Sequence, residues 1–194
     1  MRSKTSIGRV REPSKTFEII ELLSFAVVIF LTSFIMPLAI RGYDNFFTRY
    51  NQFFIGPVVN FVLILAGVRF KSRVKTLCTI CLPSVFALSA GLITGGIYTL
   101  YMIPVIWLGN LVIVFTFRTL REKDITVASY APVAIIAVFL KAAVIFGGYN
   151  LLCVFNVIPS GSPAAAALWT AMGLNQLINA AIGSLFAFGA LKTL

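Results

Sequence analysis

The chain has 194 residues, of which 59% are hydrophobic and 11% charged, with a formal net charge of +10 and no histidine. That composition is not one of a soluble domain, and it leaves no length for a soluble domain beside a membrane one. The basic excess does not signal nucleic acid, because its residues fall in the gaps between long apolar runs.

Taken in order, the uncharged runs cover residues 22–40, 50–68, 76–117 and 125–191, the last interrupted only by Lys141. A membrane-spanning helix needs about 20 mostly apolar residues. The first two runs therefore hold one span each and the last two hold a pair each. Helices are predicted over 17–40, 51–69, 74–93, 97–117, 128–152 and 163–191. The expected fold class is an all-α membrane protein, a six-helix transmembrane bundle. Residues 1–16 form a short cytoplasmic N-terminal arm and 17–194 a single transmembrane domain. No cleavable signal peptide is expected, since the first apolar run is too long and no small-residue cleavage site follows it.

Of the 16 cationic residues, all but Arg41, Arg49 and Lys141 fall before the first helix, between the second and third, between the fourth and fifth, or at the end of the chain. By the positive-inside rule those segments and both termini are cytoplasmic, and the basic loops meet anionic lipid headgroups. The opposite connections are a polar and aromatic loop at 41–50, a short turn near Thr94, Gly95 and Gly96, and a breaker-rich loop at 155–163. Prolines at 37, 57, 83, 104 and 132 lie inside helical patterns, where each removes a backbone hydrogen bond and can kink its helix. No internal repeat is visible, which does not support an inverted-repeat transporter.

Four predicted helices carry polar groups at mid-depth: Asn60, Asn110, Lys141, and the cluster Asn175, Gln176 and Asn179. In hydrocarbon such groups are costly unless they pair or line a wet cavity. Lys141 is the only ionisable residue deep in a span, and no carboxylate lies at its depth. Such an ammonium loses its proton, is held by amide and carbonyl oxygens, or receives an anionic ligand. On the last helix, Ala167, Ala171, Asn175, Asn179, Gly183 and Ala187 recur every four residues. They form a ridge that permits close helix packing and, at its amides, ligand contact. Tyr149 and Asn150, with Trp107 and with Tyr43, Phe46, Phe47 and Tyr50 of the first loop, either roof a pocket or form an interfacial aromatic belt. Cys78 and Cys81 make a Cys-x-x-Cys pair that would need further ligands to hold a metal or cluster. There is no nucleotide-binding loop, no Ser-His-Asp set and no carboxylate pair within a span, so neither catalysis nor a cofactor is expected.

The stretch from Ile158 through Pro159, Ser160, Gly161, Ser162 and Pro163 into the Ala-, Gly- and amide-rich last helix is similar to that of one family. So are the segment from Met102 to Asn110 and Leu140-Lys141-Ala142. With six short helices, the chain resembles the substrate-binding S component of an energy-coupling factor (ECF) transporter. The resemblance implies capture of a vitamin-like micronutrient from outside a prokaryotic cell membrane. The loaded subunit would topple against a transmembrane coupling subunit driven by two ATPase subunits. It also implies a pocket drawn from Trp107, Asn110, Lys141, Tyr149, Asn150, Asn175 and Asn179, with Asn60 and Gln176 at the same depth. One family feature, a small-residue pair four apart on the first helix, is missing: Phe30 stands four residues after Ala26.

The sequence thus points to an uptake subunit for a small organic nutrient, anionic or amide-rich. Two other readings remain beside it. One is a membrane subunit of a redox complex that joins Cys78 and Cys81 to a partner's ligands. The other is a multipass scaffold whose amides only fix helix packing.

Overall fold

A computed structural model describes residues 15–40, 45–89 and 96–193, with side chains from 53 onward in the second segment. Among the described residues the structure is helical, with turns between helices and no strand. Helix α1 (Lys15–Phe30) passes through a π-helical turn (Leu31–Ile35) into α2 (Met36–Ile40). Then follow α3 (Asn45–Arg69), α4 (Arg73–Ser89), α5 (Tyr98–Arg118), α6 (Val127–Val154), α7 (Pro163–Met172) and α8 (Leu174–Thr193).

Four stretches are long and apolar enough to cross a membrane: Thr16–Ala39, Tyr98–Arg118, Val127–Val154 and Pro163–Thr193. Phe53–Arg69 is a shorter apolar helix. The helix predicted over 74–93 leaves the described residues after Ser89. The bundle exposes large apolar side chains over its flanks, including Leu23, Val27, Ile135, Phe139, Leu185 and Phe186, and buries Asn60, Asn110, Lys141 and Asn179. Extended apolar surface of this kind marks a protein surrounded by lipid.

Two departures from regular helix have local causes. The ring of Pro37 would clash with the carbonyl four residues earlier, that of Ser33, and proline has no N–H to give it. Widening the turn relieves both: the Met36 N–H reaches back five residues to the Leu31 carbonyl. The second departure corrects the sequence reading. The single helix expected over 163–191 is two helices that meet at Gly173, whose φ of −88° and ψ of −120° are not helical. The ridge at spacing four therefore does not continue from Ala171 to Asn175. At the other joint, Thr126 and Ser129 form a reciprocal capping box that starts α6.

The most extensive helix pairing is between α3 and α8, which run parallel in a reciprocal arrangement. A Cβ on Gly56 would lie 2.3 Å from the Asn179 Nδ2, and one on Gly183 would lie 2.6 Å from the Asn60 Cβ. Each asparagine thus packs over the other helix's glycine, four residues from its own helix's glycine. The apolar core lies in two parts. One gathers Leu63, Ile113, Phe117, Tyr130 and Ala180; the other gathers Met102, Ile145, Ile158 and Leu168.

The end of the bundle that holds Arg69 and Arg118 is tied by charge. Arg69 pairs with Glu21, and Lys75 Nζ with Glu18 at 2.5 Å. Arg121 donates to the Phe70 carbonyl and to those of Gly67 and Val68, both at 3.2 Å, closing the carbonyl-rich end of α3. Burial and the neighbouring Arg118 draw the Arg121 guanidinium below its ordinary range, though a guanidinium stays charged in proteins.

Candidate functional site

Lys141 lies on α6 facing α3 and α5. Its Nζ donates to Asn60 Oδ1 at 2.5 Å and to Asn110 Oδ1 at 2.7 Å. Both amides present oxygen because the lysine offers only donors. The Asn60 amide is fixed from behind, its Nδ2 donating to the Gly56 carbonyl at 2.8 Å. Burial is nearly complete: Lys141 and Asn60 are 2% exposed, Asn110 and Asn179 3%. Two of the three ammonium donors are thereby used, and a carboxylate is absent from the clasp. Among the described carboxylates, Glu18 and Glu21 pair with Lys75 and Arg69, while Glu122 and Asp124 lie in the turn before α6.

The clasp forms the polar part of a cavity of about 220 Å³. Asn179 and Gln176 enter it from α8, Ser33 from the π-helical turn, Ser84 from α4 and Thr99 from α5. Ile55, Val59, Ala87, Leu88, Ile103 and Ile106 supply apolar wall. Two buried polar atoms here have no partner: Asn179 Oδ1 and Ser33 Oγ. Leaving a buried polar group unpaired costs about 1–3 kcal/mol. Both residues line the cavity beside Lys141, and a polar ligand that reached these atoms would satisfy them.

The residues expected from sequence divide. Lys141, Asn60, Asn110, Gln176 and Asn179 meet at this cavity. Gln176 also braces the α7–α8 joint, its Nε2 donating to the Ala171 carbonyl at 3.2 Å. Tyr149 and Asn150 line another cavity, of about 530 Å³, with Cys153, Ser160, Trp169 and Thr170. There the Tyr149 hydroxyl donates to the Ala165 carbonyl at 2.9 Å, and Asn150 Nδ2 to the Phe146 carbonyl at 2.7 Å. Trp107 packs against the first core cluster with its buried Nε1 unpartnered, and lines neither cavity. Asn175 lies half-buried next to the Gly173 break, on neither cavity wall. The loop expected over 41–50 is helical from Asn45, so Phe46, Phe47 and Tyr50 lie on α3; their side chains, and Tyr43, lie outside the described residues.

Ser33, Ser84, Thr99 and Gly56 line the cavity without having been singled out in the sequence. Serine and threonine in apolar helices usually bond their own backbone, as Thr32 does to the Val28 carbonyl at 2.7 Å. Only the proline-induced turn distinguishes Ser33. Cys78 is exposed and Cys81 half-buried on α4, and no group of three metal-ligating side chains occurs among the described residues. Comparison with protein-family models, with curated proteins and with solved structures finds no match.

Proposed function

We propose that this protein is a membrane-embedded capture subunit for a small organic micronutrient, of the kind that S components provide to ECF transporters. One observation carries the reading. Lys141 is buried with no carboxylate beside it among the described residues, clasped by Asn60 and Asn110 oxygens, at the wall of a cavity lined also by Asn179 and Ser33, whose Oδ1 and Oγ lack partners. A purely structural lysine would be expected to have its polar surroundings closed around it. Here the clasp is closed over Lys141, but its residues also line a cavity. The volume of about 220 Å³ falls below the roughly 300–1,000 Å³ of pockets for drug-sized ligands.

In this reading all six helical rods cross a prokaryotic cell membrane, with both termini and the basic loops in the cytoplasm. The cavity would fill from the opposite side. The protein carries no chemistry of its own and works through a transmembrane coupling subunit and two ATPase subunits. Affinity purification from native membranes tests this. Recovery of one ATPase pair with a multipass partner supports it, and a protein that purifies alone from gently solubilised membranes opposes it.

The scaffold reading has one observation in its favour, the Lys141 clasp itself, which joins α3, α5 and α6. It leaves Asn179 Oδ1 and Ser33 Oγ unexplained.

A further inference from the structure

We infer that the cavity selects a small organic monoanion that carries an N–H or O–H donor and an apolar body. The inference rests on the reading of this cavity as the ligand site, and each component has its own source on the wall.

The charge follows from a count of ionic groups. Lys141 is the only ionisable side chain on the cavity wall among the described residues, and its Nζ is held by two neutral oxygens. One anionic group supplies the counter-charge that the described residues do not. A second anionic group would be buried without compensation, which is costly in a low-dielectric interior. A cationic ligand would meet Lys141 with like charge.

The donor follows from Asn179. Its Oδ1 is an acceptor with no partner, and the residue is almost fully buried. A carboxylate cannot satisfy it, because an ionised carboxylate only accepts. A ligand that brings an N–H or O–H as well as its charge would satisfy it. The Ser33 hydroxyl accepts or donates and serves either group. Asn179 is also held in place: its side chain lies over Gly56, leaving no room for even a methyl group between them.

The apolar body follows from the rest of the wall, where Ile55, Val59, Leu88, Ile103 and Ile106 present hydrocarbon. An inorganic anion would leave that surface facing water. Sites that hydrogen-bond a particular ligand group reject analogues lacking it far more strongly than sites that merely enclose hydrocarbon.

The experiment uses the full chain in lipid nanodiscs and a matched set of ring compounds, with binding followed by titration calorimetry and ligand-observed NMR. The set is 4-hydroxybenzoate (acid and donor), benzoate (acid alone), 4-hydroxybenzamide (neutral), 4-hydroxybenzylamine (cation) and 4-hydroxyphthalate (dianion). 4-Hydroxybenzoate should bind best, at least about fivefold more tightly than benzoate, given the cost of an unpaired buried acceptor. The benzamide, the amine and the dianion should bind at least about tenfold more weakly than 4-hydroxybenzoate. In Asn179→Leu the preference for 4-hydroxybenzoate over benzoate should vanish while benzoate still binds. Ser33→Ala, a smaller change, covers the case in which Asn179→Leu does not fold and should lower 4-hydroxybenzoate affinity. Equal or better binding of the neutral, cationic or dianionic compound, lost on Lys141→Met, overturns the monoanion inference and leaves the cavity as the ligand site. Loss of the hydroxyl preference in wild-type protein overturns the donor inference alone. Absence of binding by every compound, or binding unchanged in Lys141→Met, overturns the ligand-site reading together with the inference.

Discussion

Replacing Asn110 by aspartate would give Lys141 a counter-charge that the other described residues do not supply. The Asn110 Oδ1 already lies 2.7 Å from Nζ, and aspartate is nearly isosteric, so a carboxylate oxygen can take its place without repacking. Asn60→Asp is a poorer choice, since Asn60 Nδ2 also donates to the Gly56 carbonyl. With a carboxylate in the clasp the site becomes neutral. An incoming anion loses its net attraction and meets a like charge, worth about 4 kcal/mol at 4 Å for an effective dielectric constant near 20. Breaking a buried, hydrogen-bonded charge pair in an interface costs about 2–5 kcal/mol, or roughly 30- to 5,000-fold in affinity. The fold itself should not suffer, because the lysine gains a partner. The expected outcome for Asn110→Asp is therefore severe loss of ligand binding at an unchanged or raised unfolding temperature. Binding assays and thermal unfolding on the same nanodisc sample read both. Wild-type binding by Asn110→Asp would refute the electrostatic reasoning, because a neutralised clasp cannot retain an anion that depends on Lys141.

Other consequences follow from the packing and the charge pattern. Gly183→Ala places a methyl group 2.7 Å from the Pro57 carbonyl oxygen as well as against Asn60, so α3 and α8 must part; a loss of about 1–3 kcal/mol is expected, read as a lower unfolding temperature, and an unchanged temperature would contradict the packing. Tyr130→Phe removes the 2.6 Å hydrogen bond from the Tyr130 hydroxyl to the Ser184 carbonyl; it should cost about 0.5–1.5 kcal/mol in the same assay without changing ligand affinity. Arg121→Ala uncovers the carbonyls of Gly67, Val68 and Phe70; hydrogen exchange should rise in the last turn of α3, and exchange at the wild-type rate would show that the guanidinium does not hold it. For the proposed orientation, a protein with its native cysteines replaced should react with an impermeant maleimide at Ser160→Cys in intact cells, and at Lys123→Cys only after permeabilisation. The reverse pattern would invert the topology.

Hydrophobic run length placed most of the described helices, because burying backbone in lipid forces it into hydrogen-bonded helix, but it missed the start of α3 at Asn45 and the separation of α7 from α8. Local backbone detail was harder to read. Pro37 signals a disturbance, but whether the chain kinks or widens into a π-helical turn depends on what packs around Ser33. Gly173 sits inside a run whose periodicity does not change, and isolated glycine is tolerated within helices, so the break between α7 and α8 left little trace. The polar site was partly legible for the same reason that it exists: Lys141, Asn60 and Asn110 are expensive in hydrocarbon and satisfy one another, and Asn179 reaches the same cavity. Tyr149 and Asn150 lie beyond the clasp towards the far end of α6, and depth along a helix does not reveal which neighbouring face a side chain meets. Asn175 was misplaced by extending one helical register through Gly173. The reciprocal glycine–asparagine packing of α3 and α8 required knowing that these two helices touch, which single-sequence spacing does not give.

The most direct measurement is native mass spectrometry of wild-type protein and Lys141→Met, each in nanodiscs and each incubated with a small-molecule extract of the cells' growth medium. The account predicts one organic acid adduct on the wild type that is missing from Lys141→Met, with both proteins folded. No adduct on either protein, or the same adduct at equal occupancy on both, would contradict it.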